Sequence, residues 1–292
     1  MPIMHVDATS DEFDRMYNNR ALVPDFADHL SRWKAASTQA FVDLDCSRNI
    51  RYGDGVLETL DVFPAKQKDA PVLVFIHGGY WRSLDKDDHA FVAPAFVDAG
   101  ACVVVVNYAL CPGTAQAPVG VADIALQMVK ALTWIWLHIH AFGGERENIS
   151  VMGHSAGGHL AAMLLACDWR SVDSGLPDQL VRKSFSISGL YELETIRRTP
   201  FLQVDLRLSP VMARKLSPAF WQPPSKGVLY TAVGSLESAA FLRQNALIQQ
   251  AWGKLRVPVC KVMQGLNHFS MVWAFAQSGH PLHALALRLL KY

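Results

Sequence analysis

No apolar run in this chain reaches the roughly 18 residues that a membrane span needs. The longest apolar-rich stretch, Val119–Ile139, is interrupted by Asp123, Gln127, Lys130 and His138. The first residues, Met1–Asp14, carry acids and lack a basic start followed by an apolar core, so no secretory signal is expected there. Basic blocks are missing too: 27 Lys and Arg stand against 26 Asp and Glu, a formal net charge of +1. A nucleic-acid partner therefore has no electrostatic footprint. Cysteines (Cys46, Cys102, Cys111, Cys167, Cys260) are odd in number, scattered and without a C-x-x-C spacing. That argues against a disulfide framework and for free thiols in a reducing cytoplasm. His138 and His140 are spaced i, i+2 and cannot share a helix face, so no metal site is expected. Internal repeats and low-complexity segments are also missing.

What remains is a chain of 292 residues, 51% hydrophobic and 18% charged, which suits a globular protein with a sizeable core. Strand-like and helix-like stretches alternate through most of it. Phe41–Cys46 and Val56–Val62 alternate apolar with polar, as an antiparallel pair at a sheet edge would. Continuous apolar runs follow at Val72–Ile76, Cys102–Val106, Ile149–Met152, Ser184–Ile187, Val228–Val233 and Val259–Met263. Such runs belong to parallel strands covered on both faces. Helices are expected between them at His89–Asp98, Val121–His140, His159–Cys167 and Ala239–Trp252, with a last one at Leu282–Leu290. This order predicts an α/β protein: one domain over 1–292, built on a doubly wound, mostly parallel sheet of about eight strands. Two long excursions, 11–40 and 191–224, break the alternation. The first is helical, and the second carries five prolines. Both are candidates for a small lid over a site.

Gly153-His154-Ser155-Ala156-Gly157 lies between a strand-like and a helix-like run. A serine between glycines on a strand-to-helix turn is a nucleophile elbow, which exposes the serine Oγ above the sheet. Such a serine needs a base, an orienting acid and oxyanion donors. Among His159, His268, His280 and His283, only His268 sits in a loop directly after a buried strand, at the sheet edge that Ser155 shares. Among Asp168, Asp173, Asp178, Glu192, Glu194, Asp205 and Glu237, only Glu237 directly follows such a strand; Asp205 is the reserve. His77-Gly78-Gly79-Tyr80-Trp81 follows another strand, so Gly78 and Gly79 with the Ala156 N–H would form the oxyanion hole. His77 is expected to fix its loop by a hydrogen bond. Tyr80 and Trp81 are candidates for stacking on a substrate ring, and Trp33, Phe201, Phe220 and Trp221 for gripping it from the lid.

From about Tyr17 onward the chain resembles the α/β-hydrolase fold, and within it the kynurenine formamidase (arylformamidase) branch near the hormone-sensitive-lipase-like esterases. The resemblance rests on Tyr17-Asn18-Asn19-Arg20, the H-G-G-Y-W and G-H-S-A-G segments, Asn107-Tyr108, Cys111-Pro112-Gly113, Ser188-Gly189-Leu190-Tyr191 and Ser217-Pro218. It implies Ser155 as nucleophile, Glu237 as acid, His268 as base, the His77–Gly79 loop as oxyanion hole and no cofactor. An aryl formamide such as N-formyl-kynurenine is the implied substrate. The chain departs from the family at Glu237, where aspartate is usual.

The expectation is therefore a cytoplasmic serine hydrolase acting on a small molecule through a covalent acyl-enzyme. A carboxylesterase on small acyl or aryl esters is the nearest alternative. A ligand-binding protein that has lost turnover is the third reading, though such a protein would be free to lose Ser155, His268 or the oxyanion loop, all present here. Oligomer base rates point to a homodimer.

Overall fold

The computed structural model describes residues 8–291. The first half of the Met1–Asp14 stretch and the outermost ends of the single domain thus lie outside the described residues. The strands are β1 (Ser47–Arg51), β2 (Thr59–Phe63), β3 (Ala70–Ile76), β4 (Cys102–Val106), β5 (Gly144–His154), β6 (Lys183–Ile187), β7 (Val228–Gly234) and β8 (Val259–Met263). They form one sheet in the order β1-β2-β4-β3-β5-β6-β7-β8. β1–β2 and β2–β4 pair antiparallel, and every later pair is parallel.

The helices before and between the first strands are α1 (Ser10–Tyr17), α2 (Asn19–Leu22), α3 (Phe26–Asp43), α4 (Ala93–Asp98) and α5 (Val121–His138). After β5 come α6 (Ala156–Leu165), α7 (Trp169–Val172), α8 (Glu194–Arg197), α9 (Pro200–Leu206) and α10 (Pro210–Lys215). The chain closes with α11 (Ala239–Arg256), α12 (His268–Ala276) and α13 (Pro281–Leu290). None of these helices is long and apolar enough to cross a membrane.

The apolar runs of β3 to β7 are buried because each face of the sheet has its own cover, whereas β8, expected to be covered on both faces, is an edge strand with Lys261 and Val262 exposed. Val72, Val74 and Ile76 of β3 pack into one core layer with α5, α6 and α11, while Leu73 and Phe75 pack into the other with α4, α12 and α13. At roughly 25 cal/mol per Å² of apolar surface, a period of two with both sides apolar drives this three-layer arrangement.

Three further expectations need correction. Phe41–Cys46 is no strand: α3 runs to Asp43, burying Trp33, Ser37 and Ala40 on one face, and Phe41 stacks on Phe63 with ring centroids 5.8 Å apart. So short an alternating stretch fits the end of an amphipathic helix as well as it fits a strand. The antiparallel edge exists, but β1 supplies it after the helix ends. The helix expected from His89 starts only at Ala93, after two 3₁₀ turns, because Pro94 has no N–H to donate to the preceding turn. In β2, Asp61 is not the solvated member of an alternating strand. It is buried, 2.9 Å from the equally buried Nζ of Lys86.

Candidate active site

The sheet order reverses between β3 and β5, since the chain leaves β3 toward β4 and leaves β5 toward β6. At such a switch point the loops leaving adjacent parallel strands diverge, and a crevice opens at their carboxyl ends. The His77–Trp81 loop leaves β3 there and Ser155 leaves β5. A cleft of about 220 Å³ opens at this edge, lined among others by Gly79, Tyr80, His154, Ser155 and His268.

Ser155 holds φ 56° and ψ −116° between β5 and α6, a left-handed geometry that costs a non-glycine residue roughly 1–3 kcal/mol. Its N–H donates to the Ile187 carbonyl at 2.8 Å, which pins the turn to β6. A Cβ on Gly153 would come within 2.2 Å of the Gly157 carbonyl oxygen, and one on Gly157 within 2.0 Å of the Ile76 carbonyl oxygen. Both glycines are thus demanded by close approach of backbone to backbone. Ala156 opens α6, where the first N–H groups have no intrahelical partner.

The loops after β7 and β8 are stitched together, with Ser235 N–H donating to Met263 O at 2.9 Å and Leu236 N–H to Leu266 O at 3.0 Å. This brings Glu237 to His268: Oε2 lies 2.6 Å from Nδ1, and both residues are buried. The other carboxylate oxygen accepts from Ser188 Oγ at 2.6 Å and from Gly234 N–H at 2.7 Å. The His268 ring is flanked by Phe241 and His154, each with its centroid 4.6 Å away. Asp205 does not approach His268; it pairs with Arg82 at the mouth of the cleft. His159 turns to the Leu216 carbonyl at 2.7 Å, and His283 to the Phe275 carbonyl at 2.9 Å, while His280 caps α13.

In the β3 loop, Gly79, Tyr80 and Trp81 take φ of 99°, 50° and 57° in succession, a left-handed turn that swings Gly79 to the cleft. Gly78 packs against the elbow behind it. His77 fixes the loop as expected: Nδ1 lies 2.8 Å from the Gly78 carbonyl and Nε2 3.1 Å from Asn107 Oδ1, while Tyr108 Oη donates to the His77 and Gly78 carbonyls at 3.0 Å. Tyr80 reaches the cleft, but Trp81 does not. It is fully buried, edge-on to His159 at 5.0 Å, because the turn points consecutive side chains apart. Of the other aromatic candidates, Trp33 and Phe201 line the cleft, whereas Phe220 lies under Arg214 at the surface and Trp221 lines a separate groove beside α5 and α6.

A family model described as BD-FAE matches residues 60–187. Kynurenine formamidase of Danio rerio is 28% identical over 272 residues, 90% of this chain and 88% of the relative. That of Salmo salar is 28% identical over 302 residues, 97% of each chain. The chain has the α/β-hydrolase fold and resembles the branch that holds the kynurenine formamidases. A solved Silicibacter protein described as a candidate thioesterase shares 27% identity with this α/β-hydrolase at a TM-score of 0.81, covering 96% of this chain and 99% of its own. The carboxylesterase EstE1, from a metagenomic library, shares the fold at 18% identity and a TM-score of 0.69, over 99% of this chain and 98% of its own.

Sequence reasoning gave no role to Ser188, His154 or Arg20. Ser188 directly follows β6 at the edge already assigned to the site, so its place was readable. Nothing local announced that it faces Glu237.

Proposed function

We propose that this hydrolase cleaves an aryl formamide of the N-formyl-kynurenine type with Ser155 as nucleophile, His268 as base and Glu237 as the orienting acid. The observation that carries the reading is the 2.6 Å contact of His268 Nδ1 with Glu237 at the cleft where strained Ser155 and Gly79 also lie. His268 Nε2 takes the Oγ proton as Oγ bonds the formyl carbon. The N–H groups of Ala156 and the Gly78–Gly79 loop receive the oxyanion. The C–N bond then breaks as the imidazolium returns the proton to the leaving amine, leaving a formyl ester on Ser155. Water attacks that ester with His268 again as base, releasing formate.

The lining of the cleft supports an aromatic substrate carrying a carboxylate. Arg20, Arg82, Trp33, Tyr80 and Phe201 border it; among the described residues no Asp or Glu lines it directly, and Asp205 reaches its rim only as the partner of Arg82. The 11–40 segment contributes most of the cover and 191–224 contributes Phe201. Unpaired thiols among the described residues support a cytoplasmic setting.

Esterase activity is the second reading, favoured by carboxylesterase NlhH of Mycobacterium tuberculosis, 37% identical over 102 residues but covering only 35% of this chain and 30% of that one. The deciding measurement is kcat/KM for N-formyl-kynurenine against aryl esters of rising acyl length. A steep fall from formyl to butyryl supports the formamidase, because a formyl group needs almost no acyl pocket. A flat series identifies a general esterase.

A further inference from the structure

The residue before the nucleophile carries a side chain that the mechanism above does not use. His154 is 3% exposed, and its Nε2 lies 2.9 Å from the backbone carbonyl oxygen of His268. A carbonyl can only accept, so Nε2 bears the proton and donates it. Nδ1 is then a bare lone pair, buried without a partner. It faces the oxyanion loop: a Cβ on Gly78 would sit 3.2 Å from it, and 3.1 Å from Ser155 Cβ. One ring therefore touches the loop of the base, the loop of the oxyanion hole and, through the chain, the nucleophile.

Burial, then the neighbouring His268, then His89 hold the His154 pKa well below its ordinary value. It stays neutral as His268 gains and loses its proton beside it. Trp33 seals the outer side, edge-on to the His154 ring at 6.4 Å. The other contact here, between the His154 and His268 rings at 4.6 Å between centroids, is packing, which resists separation but does not set register along the surface. A hydrogen bond has direction, and this one runs from the neighbour of the nucleophile to the backbone of the base.

We propose that His154 is a positioning residue: its Nε2–H holds the His268 backbone and so sets the base against Ser155. This rests on the serine-hydrolase reading above and is independent of whether a formamide or an ester is cleaved. A misplacement of about 1 Å can cost on the order of a hundredfold in rate.

The test compares wild type with His154→Leu, which cannot donate, and His154→Gln, whose amide can, on p-nitrophenyl acetate and N-formyl-kynurenine. Each substitution is also made in a His268→Ala background, and thermal unfolding is recorded throughout. His154→Leu should lower kcat roughly 10- to 100-fold with KM moved less than about threefold on both substrates. His154→Gln should recover most of that loss. With His268 replaced by alanine, either change should cost nothing further, since the base being positioned is gone. Wild-type kcat in His154→Leu, no recovery in a folded His154→Gln, or an equal loss without His268 would each overturn the proposal. Should His154→Leu not fold, long-range ¹H–¹⁵N spectra of the wild type decide. His154 must remain the neutral Nε2–H tautomer from pH 5 to 8, and an Nδ1–H or titrating ring refutes the strut. Retained turnover in Ser155→Ala would instead remove the serine-hydrolase reading itself.

Discussion

Ser188 donates its hydroxyl proton to Oε1 of Glu237 at 2.6 Å, on the side of the carboxylate opposite His268. Together with the Gly234 N–H it leaves Oε2 as the oxygen that meets the imidazole. Glutamate has one methylene more than aspartate, and hence one more rotor to restrain. Ser188→Ala should therefore lower kcat about 10- to 100-fold, matching the roughly 1.5–3 kcal/mol of a hydrogen bond to a charged group. Steady-state kinetics on p-nitrophenyl acetate, with KM little changed, checks it.

Glu237→Gln should cut kcat by about 10⁴, because the amide cannot stabilise the imidazolium and can favour the wrong tautomer of His268. Asp205→Asn should leave kcat within severalfold of wild type, since Asp205 pairs with Arg82 at the rim. The opposite pattern would move the orienting acid into the 191–224 segment.

Ser155→Ala should abolish turnover of p-nitrophenyl acetate and labelling by a fluorophosphonate while the circular dichroism spectrum stays unchanged. Alanine at φ 56° carries the same backbone strain as serine, so stability should move by less than about 1 kcal/mol. Retained turnover would exclude Ser155 as nucleophile.

Stability should fall in mild acid. Burial pushes His89 down to about 3 and His159 down to about 4, from an ordinary value near 6.5. Below pH 6.5 the unfolded chain binds protons that the native protein refuses, so stability is full above 6.5 and is lost as pH drops toward 4 and then 3. Each such histidine adds up to about 1.4 kcal/mol of loss per pH unit in that window. Urea midpoints at pH 7.5 and 5.0 measure the slope. His159→Gln, which can still donate to the Leu216 carbonyl but does not titrate, should flatten it.

Much of the sheet was legible because its signal is local. β4 and β8 begin and end where the apolar runs do, and β3, β5, β6 and β7 only extend them. Where the local signal was short, it misled: Phe41–Cys46 alternates like a strand but ends a helix whose direction is set by Trp33 and Ala40 against the body of the protein. Trp81 misled for another reason. Its neighbour Tyr80 lines the cleft, and only the left-handed turn at both residues sends Trp81 to His159 instead.

By itself the sequence determined the strand-and-helix alternation, the elbow turn and the shortlist of nucleophile, base and acid. Each depends on residues within a few positions of one another: apolar runs, glycines where backbones touch, a loop directly after a strand. Tertiary structure alone decided which residues face one another across the cleft. That Glu237 rather than Asp205 meets His268, that Ser188 holds Glu237 and that His154 ties the elbow to α12 are contacts between residues 31 to 114 positions apart. The physical reason is that their geometry is set by sheet order and loop docking, to which no short stretch of chain is sensitive.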